Sequence, residues 1–151
     1  MFDKQCWWIT GASSGIGAAL ARALAARGAS LVLSGRNVAA LETVAKDCPD
    51  TLLLPFEATD FAAVPALAER AWQWKGRIDG LVNNAGISQR SLAVDTAFPV
   101  YEKLIAVDLL APIALHAAFD FPLLMLQQNP GLPSNTRLLL GAASIVIGFA
   151  S

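Results

Sequence analysis

Thr10-Gly11-Ala12-Ser13-Ser14-Gly15-Ile16-Gly17 follows the apolar run Cys6-Trp7-Trp8-Ile9 and opens the small-residue run Ala18 to Ala26. A strand, a glycine-rich turn and a helix are written in order. Such a turn builds a phosphate site from backbone alone. Its helix aims free N–H groups and a partial positive charge at an anion. The glycines at 11, 15 and 17 are expected to remove the β-carbons that would hold a pyrophosphate away. The spacing is T-G-x-x-x-G-x-G, not G-x-G-x-x-G.

Outward from this turn, strands and helices alternate. Strands are expected at Gln5–Thr10, Ser30–Ser34, Thr51–Pro55, Gly80–Asn83 and Arg137–Gly141. Helices are expected at Gly15–Arg27, Val38–Lys46, Phe61–Trp74 and Pro99–Gln128. Apolar strands separated by helices call for a parallel sheet covered on both faces. Right-handed crossovers make it doubly wound, with ligand at the carboxyl ends of the strands. The stretch from Gln128 to Asn135 is a loop by its Pro, Gly and Asn content. No composition break divides the 151 residues, so a single domain over 1–151 is expected.

Hydrophobic residues make up 55% of the chain and charged ones 15%, against roughly 45–50% and about 25% in ordinary domains. That excess points to a surface that meets a partner, or to a shortened chain. The net charge of −1 gives no basic field for nucleic acid. Cys6 and Cys48 lack metal spacing, so reduced, packed thiols and no metal site are expected. The start Met1-Phe2-Asp3-Lys4 leads into a strand, without a secretory signal. Asp108, Pro112, His116, Asp120 and Pro122 interrupt the longest apolar stretch, Leu104 to Leu126. A buried helix is preferred there over a membrane span. A cytoplasmic location is expected.

Three further segments carry chemistry. The second strand ends Ser34-Gly35-Arg36-Asn37, where a dinucleotide fold places the adenine ribose. An acidic residue there bonds the 2′-hydroxyl of NAD, whereas an arginine accommodates the 2′-phosphate of NADP. Gly35 and Arg36 therefore favour NADP over NAD. The competing reading of Arg36 is a solvated helix-cap residue. The third strand leads into Phe56-Glu57-Ala58-Thr59-Asp60, in which Thr59 or Asp60 is expected to cap the next helix. The fourth ends Asn83-Asn84-Ala85-Gly86, whose small Ala85 and Gly86 allow close approach of a nucleotide.

Together these motifs resemble the short-chain dehydrogenase/reductase family, over essentially the whole chain. The stretch Gly86 to Leu92, with Asp95-Thr96 and Tyr101-Glu102-Lys103-Leu104, is similar to its dehydrogenase/reductase member 7 branch. Animal members of that branch carry an N-terminal membrane anchor, which this reading does not expect here. The resemblance implies an α/β, Rossmann-type doubly wound parallel sheet and a nicotinamide cofactor. It implies hydride transfer to or from a small-molecule carbonyl or secondary alcohol. Gly11, Ser13, Ser14, Gly15, Ile16 and Gly17 would cradle pyrophosphate. Arg36 would read the 2′-phosphate, and Ala58, Asn84, Ala85, Gly86 and Val107 would border the cofactor. Glu57 stands where the family usually has an Asp on the adenine amino group; adenine contact and simple solvation both remain open. The long helix would pack in a homo-oligomer.

Two departures stand out. The family's catalytic Asn is replaced by Asp108 in Val107-Asp108-Leu109-Leu110-Ala111-Pro112. Pro112 lacks an N–H, so the Asp108 carbonyl loses its i+4 partner and becomes a water site on a kinked helix. A buried carboxylate at 108 would need a partner or a proton. The family's Tyr-x-x-x-Lys is also missing. Tyr101 is the sole tyrosine, Ile105 follows four residues later, and no lysine follows Lys103. Ser144 falls where the family's serine is expected, although counting from Arg137 puts Ala143 there instead. His116, the single histidine, reads as structural. The chain is thus expected to end after strand five, without the catalytic pair, and to be inactive alone. The alternative is a non-catalytic nucleotide-binding or interaction module.

Overall fold

The computed structural model describes residues 2–118. The expected strand 137–141, Ala143, Ser144 and the helix beyond residue 118 lie outside them. Among the described residues there are four strands: β1 (Cys6–Thr10), β2 (Ser30–Ser34), β3 (Thr51–Leu53) and β4 (Gly80–Val82). They form a parallel sheet in the order β3-β2-β1-β4. Helices α1 (Gly15–Ala25), α2 (Val38–Ala45), α3 (Val64–Lys75) and α4 (Phe98–Ile105) connect or follow them.

The alternation of side chains along β1 and β2 sorts the core into two layers. Ile9, Leu31 and Leu33 meet Ala18, Ala21 and Leu24 of α1 and Leu41 and Val44 of α2. Trp8, Val32 and Leu81 point the other way, toward Val64, Leu67 and Ala71 of α3 and toward Leu115. Every residue of β2 is buried, as a strand covered on both faces must be. The one polar atom on the Trp8 ring is satisfied, because Nε1 donates to Ser34 Oγ at 2.8 Å. Burial pushes the Cys6 thiol up to about 12, helped by the nearby Asp79 carboxylate. Cys6 and Cys48 are both free and buried.

Boundaries shift by a few residues from expectation. The third helix begins with a 3-10 turn, Phe61–Ala63, whose first N–H groups face Asp60; its carboxylate accepts from Ala63 N at 3.3 Å. Asp60, not Thr59, is therefore the cap. Arg36 caps nothing: Asn37 does, accepting from Ala40 N at 3.1 Å. The expected continuous helix from Pro99 is broken among the described residues. α4 gives way to a π turn, Ala106–Leu110, before helix resumes over 111–118. The Ala111 N–H reaches back five residues to the Ala106 carbonyl. Pro112 then brings no N–H to the carbonyls of Val107 or Asp108, so the ladder loosens just where the proline was expected to act. No helix of the described residues is long and apolar enough to cross a membrane.

Candidate functional site: a cleft at the carboxyl ends of the strands

A cleft of about 640 Å³ opens where β1, β2 and β4 end. Its base is the turn from β1 into α1. Gly11 and Gly15 adopt left-handed backbone, with φ of +65° and +53°, which only glycine takes at little cost. A β-carbon on Gly15 would meet nothing within 4 Å, so the open space there belongs to the cleft. Ser14 precedes α1 in extended conformation and its side chain caps no N–H. The first-turn N–H groups of α1 thus lack a side-chain partner.

The other two glycines also pack closely beneath the turn, and Gly11 lines the cleft as well. A β-carbon on Gly11 would lie 2.8 Å from Ala85 Cα, and one on Gly17 2.5 Å from Asn84 Nδ2. Gly17 is buried and does not line the cleft. These glycines let the turn pack against the end of β4. Asn84 completes the joint, donating from Nδ2 to the carbonyls of Thr10 (3.1 Å) and Gly11 (3.3 Å). Thr10 Oγ1 accepts from Asn84 N (3.1 Å) and Ala85 N (3.0 Å) and donates to the Val82 carbonyl. The two central strand ends are thereby locked together.

The remaining expected residues line the cleft: Ser13, Ser14, Ile16, Arg36, Glu57, Ala58, Asn84, Ala85, Gly86 and Val107. Asn37, Phe56 and Ile87 line it as well, though the sequence reading assigned them no part. Each adjoins a singled-out residue, and adjacency to a motif was the available signal. Val107 and Ala111 pack with Ala58 and Ile87, so the π turn forms one wall. Asp108 is exposed rather than buried. Its Oδ1 accepts from Ile87 N at 2.9 Å and so ties the π turn to the loop after β4. Tyr101 Oη donates to the Ala93 carbonyl at 3.3 Å. Among the described residues no group of three or more His, Cys, Asp or Glu side chains is placed to hold a metal.

The β2–β3 ladder continues beyond both strands. Leu54 N donates to Leu33 O at 3.0 Å, and Phe56 N to Gly35 O at 3.2 Å. This register sets Arg36 beside Glu57, with Nη1 and Oε2 3.7 Å apart and both side chains well exposed. Gly35 leaves room next to Ser13, whose Oγ would lie 3.4 Å from a β-carbon at 35.

The family description "short chain dehydrogenase" matches residues 5–132. The chain belongs to the short-chain dehydrogenase family. It is 40% identical over 152 residues to dehydrogenase/reductase SDR family member 7 of Homo sapiens, covering 95% of this chain and 45% of that protein. A metagenomic short-chain oxidoreductase solved in complex with NADP is 34% identical, with a TM-score of 0.74 over 78% of this chain and 55% of that one. An alcohol dehydrogenase from the archaeon Thermococcus sibiricus, complexed with 5-hydroxy-NADP, is 28% identical, with a TM-score of 0.72 over 76% and 51%. The chain spans about half the length of each. Short-chain dehydrogenases are oxidoreductases, and the parallel sheet with helices on both faces is their fold.

Proposed function

We propose that the cleft binds a nicotinamide dinucleotide, with NADP preferred over NAD, for oxidoreduction of a carbonyl or secondary alcohol. The observation that carries this reading is the open ground above Gly15 at an uncapped helix start. A pyrophosphate there takes hydrogen bonds from first-turn N–H groups and the favourable end of the helix dipole. Ser13, Ser14 and Ile16 flank it, while Gly11 and Gly17 keep the turn in shape. Arg36 stands on the side where the 2′-phosphate would lie, and Gly35 offers no carboxylate to repel it. Glu57 and Ala58 border the adenine, and Asn84, Ala85, Gly86 and Val107 the nicotinamide side. Bound there, the cofactor supplies hydride. The two relatives of known structure named above were solved with NADP or a derivative of it, which supports the same choice here.

The described residues hold and orient; they offer no Tyr-x-x-x-Lys pair to move a proton. Asp108 supports the loop after β4, and Pro112 leaves a loosened carbonyl ladder beside the cleft. We assign residues 1–151 to one nucleotide-binding domain. We also assign a homo-oligomer to the α4 side, where Phe98, Ile105, Leu109 and Ile113 are each more than half exposed at near-helical spacing.

Titration of NADPH, followed by its nicotinamide fluorescence, tests the cofactor reading. Saturable binding that NADH reproduces only more weakly is expected. Absence of saturable binding by either would refute it. A polypeptide of these 151 residues is expected to turn over no carbonyl substrate, and sustained NADPH oxidation would require a different proton donor.

A further inference from the structure

Arg36 and Glu57 are the two charged residues, among those described, that line the cleft, and they face each other. The sequence reading gave them separate tasks. The continued β2–β3 ladder, through Phe56 N and Gly35 O, instead makes them neighbours. Their closest approach is long at 3.7 Å, not the two-point hydrogen-bonded fork that a guanidinium makes with a well-placed carboxylate. Asn37, which caps α2 by accepting from Ala40 N, anchors the backbone directly after Arg36.

We propose that Glu57 sets how strongly the site prefers NADP, by competing with the 2′-phosphate for the Arg36 guanidinium. This rests on the cofactor reading above. The guanidinium offers five N–H donors, and its nearest approach to Glu57, Nη1 to Oε2 at 3.7 Å, is longer than a hydrogen bond. A 2′-phosphate therefore has donors left to use, but it must draw the arginine away from a carboxylate. A ribose bearing only a 2′-hydroxyl does not meet that cost. Glu57 consequently lowers NADP affinity while leaving NAD affinity nearly untouched. The effect is small because an exposed ion pair is weak in water.

The test is calorimetric titration of the purified protein with NADP⁺ and with NAD⁺, in the wild type, Glu57→Gln, Arg36→Ala and the double variant. Glutamine keeps an acceptor for the adenine amino group and removes the charge, so adenine effects cancel in the ratio of the two affinities. Glu57→Gln is expected to raise that ratio about threefold and to leave it unchanged in the Arg36→Ala background. A ratio that stays level or falls in Glu57→Gln overturns the proposal. So does an increase that persists without Arg36, since Glu57 would then act directly on the phosphate. Failure of the wild type to bind either nucleotide overturns the cofactor reading itself. Wild-type binding with an unresponsive ratio overturns only the role of Glu57.

Discussion

The floor and the rim of the cleft are built in opposite ways. The floor is backbone: Gly11 against Ala85, Gly17 against Asn84, and Thr10 and Asn84 exchanging hydrogen bonds across the ends of β1 and β4. The rim is two long side chains, Arg36 and Glu57, in loose contact and largely in solvent. Changes to the floor therefore act on folding before they act on binding. Changes to the rim are expected to act on the proposed choice of nucleotide and to leave stability alone.

The largest effect should come from filling the joint under the floor. Gly11→Ala forces a left-handed φ on alanine and drives its methyl group into the backbone of Ala85. A loss of about 3 kcal/mol is expected, seen as a lower urea midpoint with an unchanged slope. Retention of the midpoint would mean that the turn relaxes freely. Thr10→Val comes next. It keeps the shape but strips the acceptor from Asn84 N and Ala85 N, at a cost of about 2 kcal/mol by the same measurement.

At the rim, Arg36→Ala should leave the urea midpoint within about 0.5 kcal/mol of wild type. NADP⁺ affinity should fall about tenfold while NAD⁺ affinity holds. A matching loss for both nucleotides would erase the contrast between floor and rim.

The smallest effect lies far from both. Hydrogen bonds from Lys75 and Ser30 hold the Asp50 carboxyl below its ordinary range. Because the folded value lies below the unfolded one, the pair's contribution is complete above about pH 4 and fades as pH falls through the folded value. Asp50→Asn should flatten stability against pH on that acid side only. Both partners are substantially exposed, so the change should be slight.

The sequence was most informative where geometry is local. The strand–turn–helix order around Gly11–Gly17, the placement of Ser30–Ser34 and the cap candidates all follow from spacing and residue type. Sequence reading was weakest where the cause is a distant contact. Nothing beside Gly17 in the chain announces Asn84, so its close packing was not legible. The Arg36–Glu57 pairing depends on a ladder that outlasts its strands, and short-range pattern carries no sign of it. Pro112 did signal a weakened helix. It did not reveal that the slack is taken up as a π turn over Ala106–Leu110, nor that Asp108 turns outward to hold Ile87.

The central claim is that a backbone floor holds a dinucleotide and that Arg36 selects NADP. The most direct test is the ratio of NADP⁺ to NAD⁺ affinity for the wild-type protein in one buffer. A ratio of about ten in favour of NADP⁺ is predicted. Equal affinities, or tighter binding of NAD⁺, would contradict it.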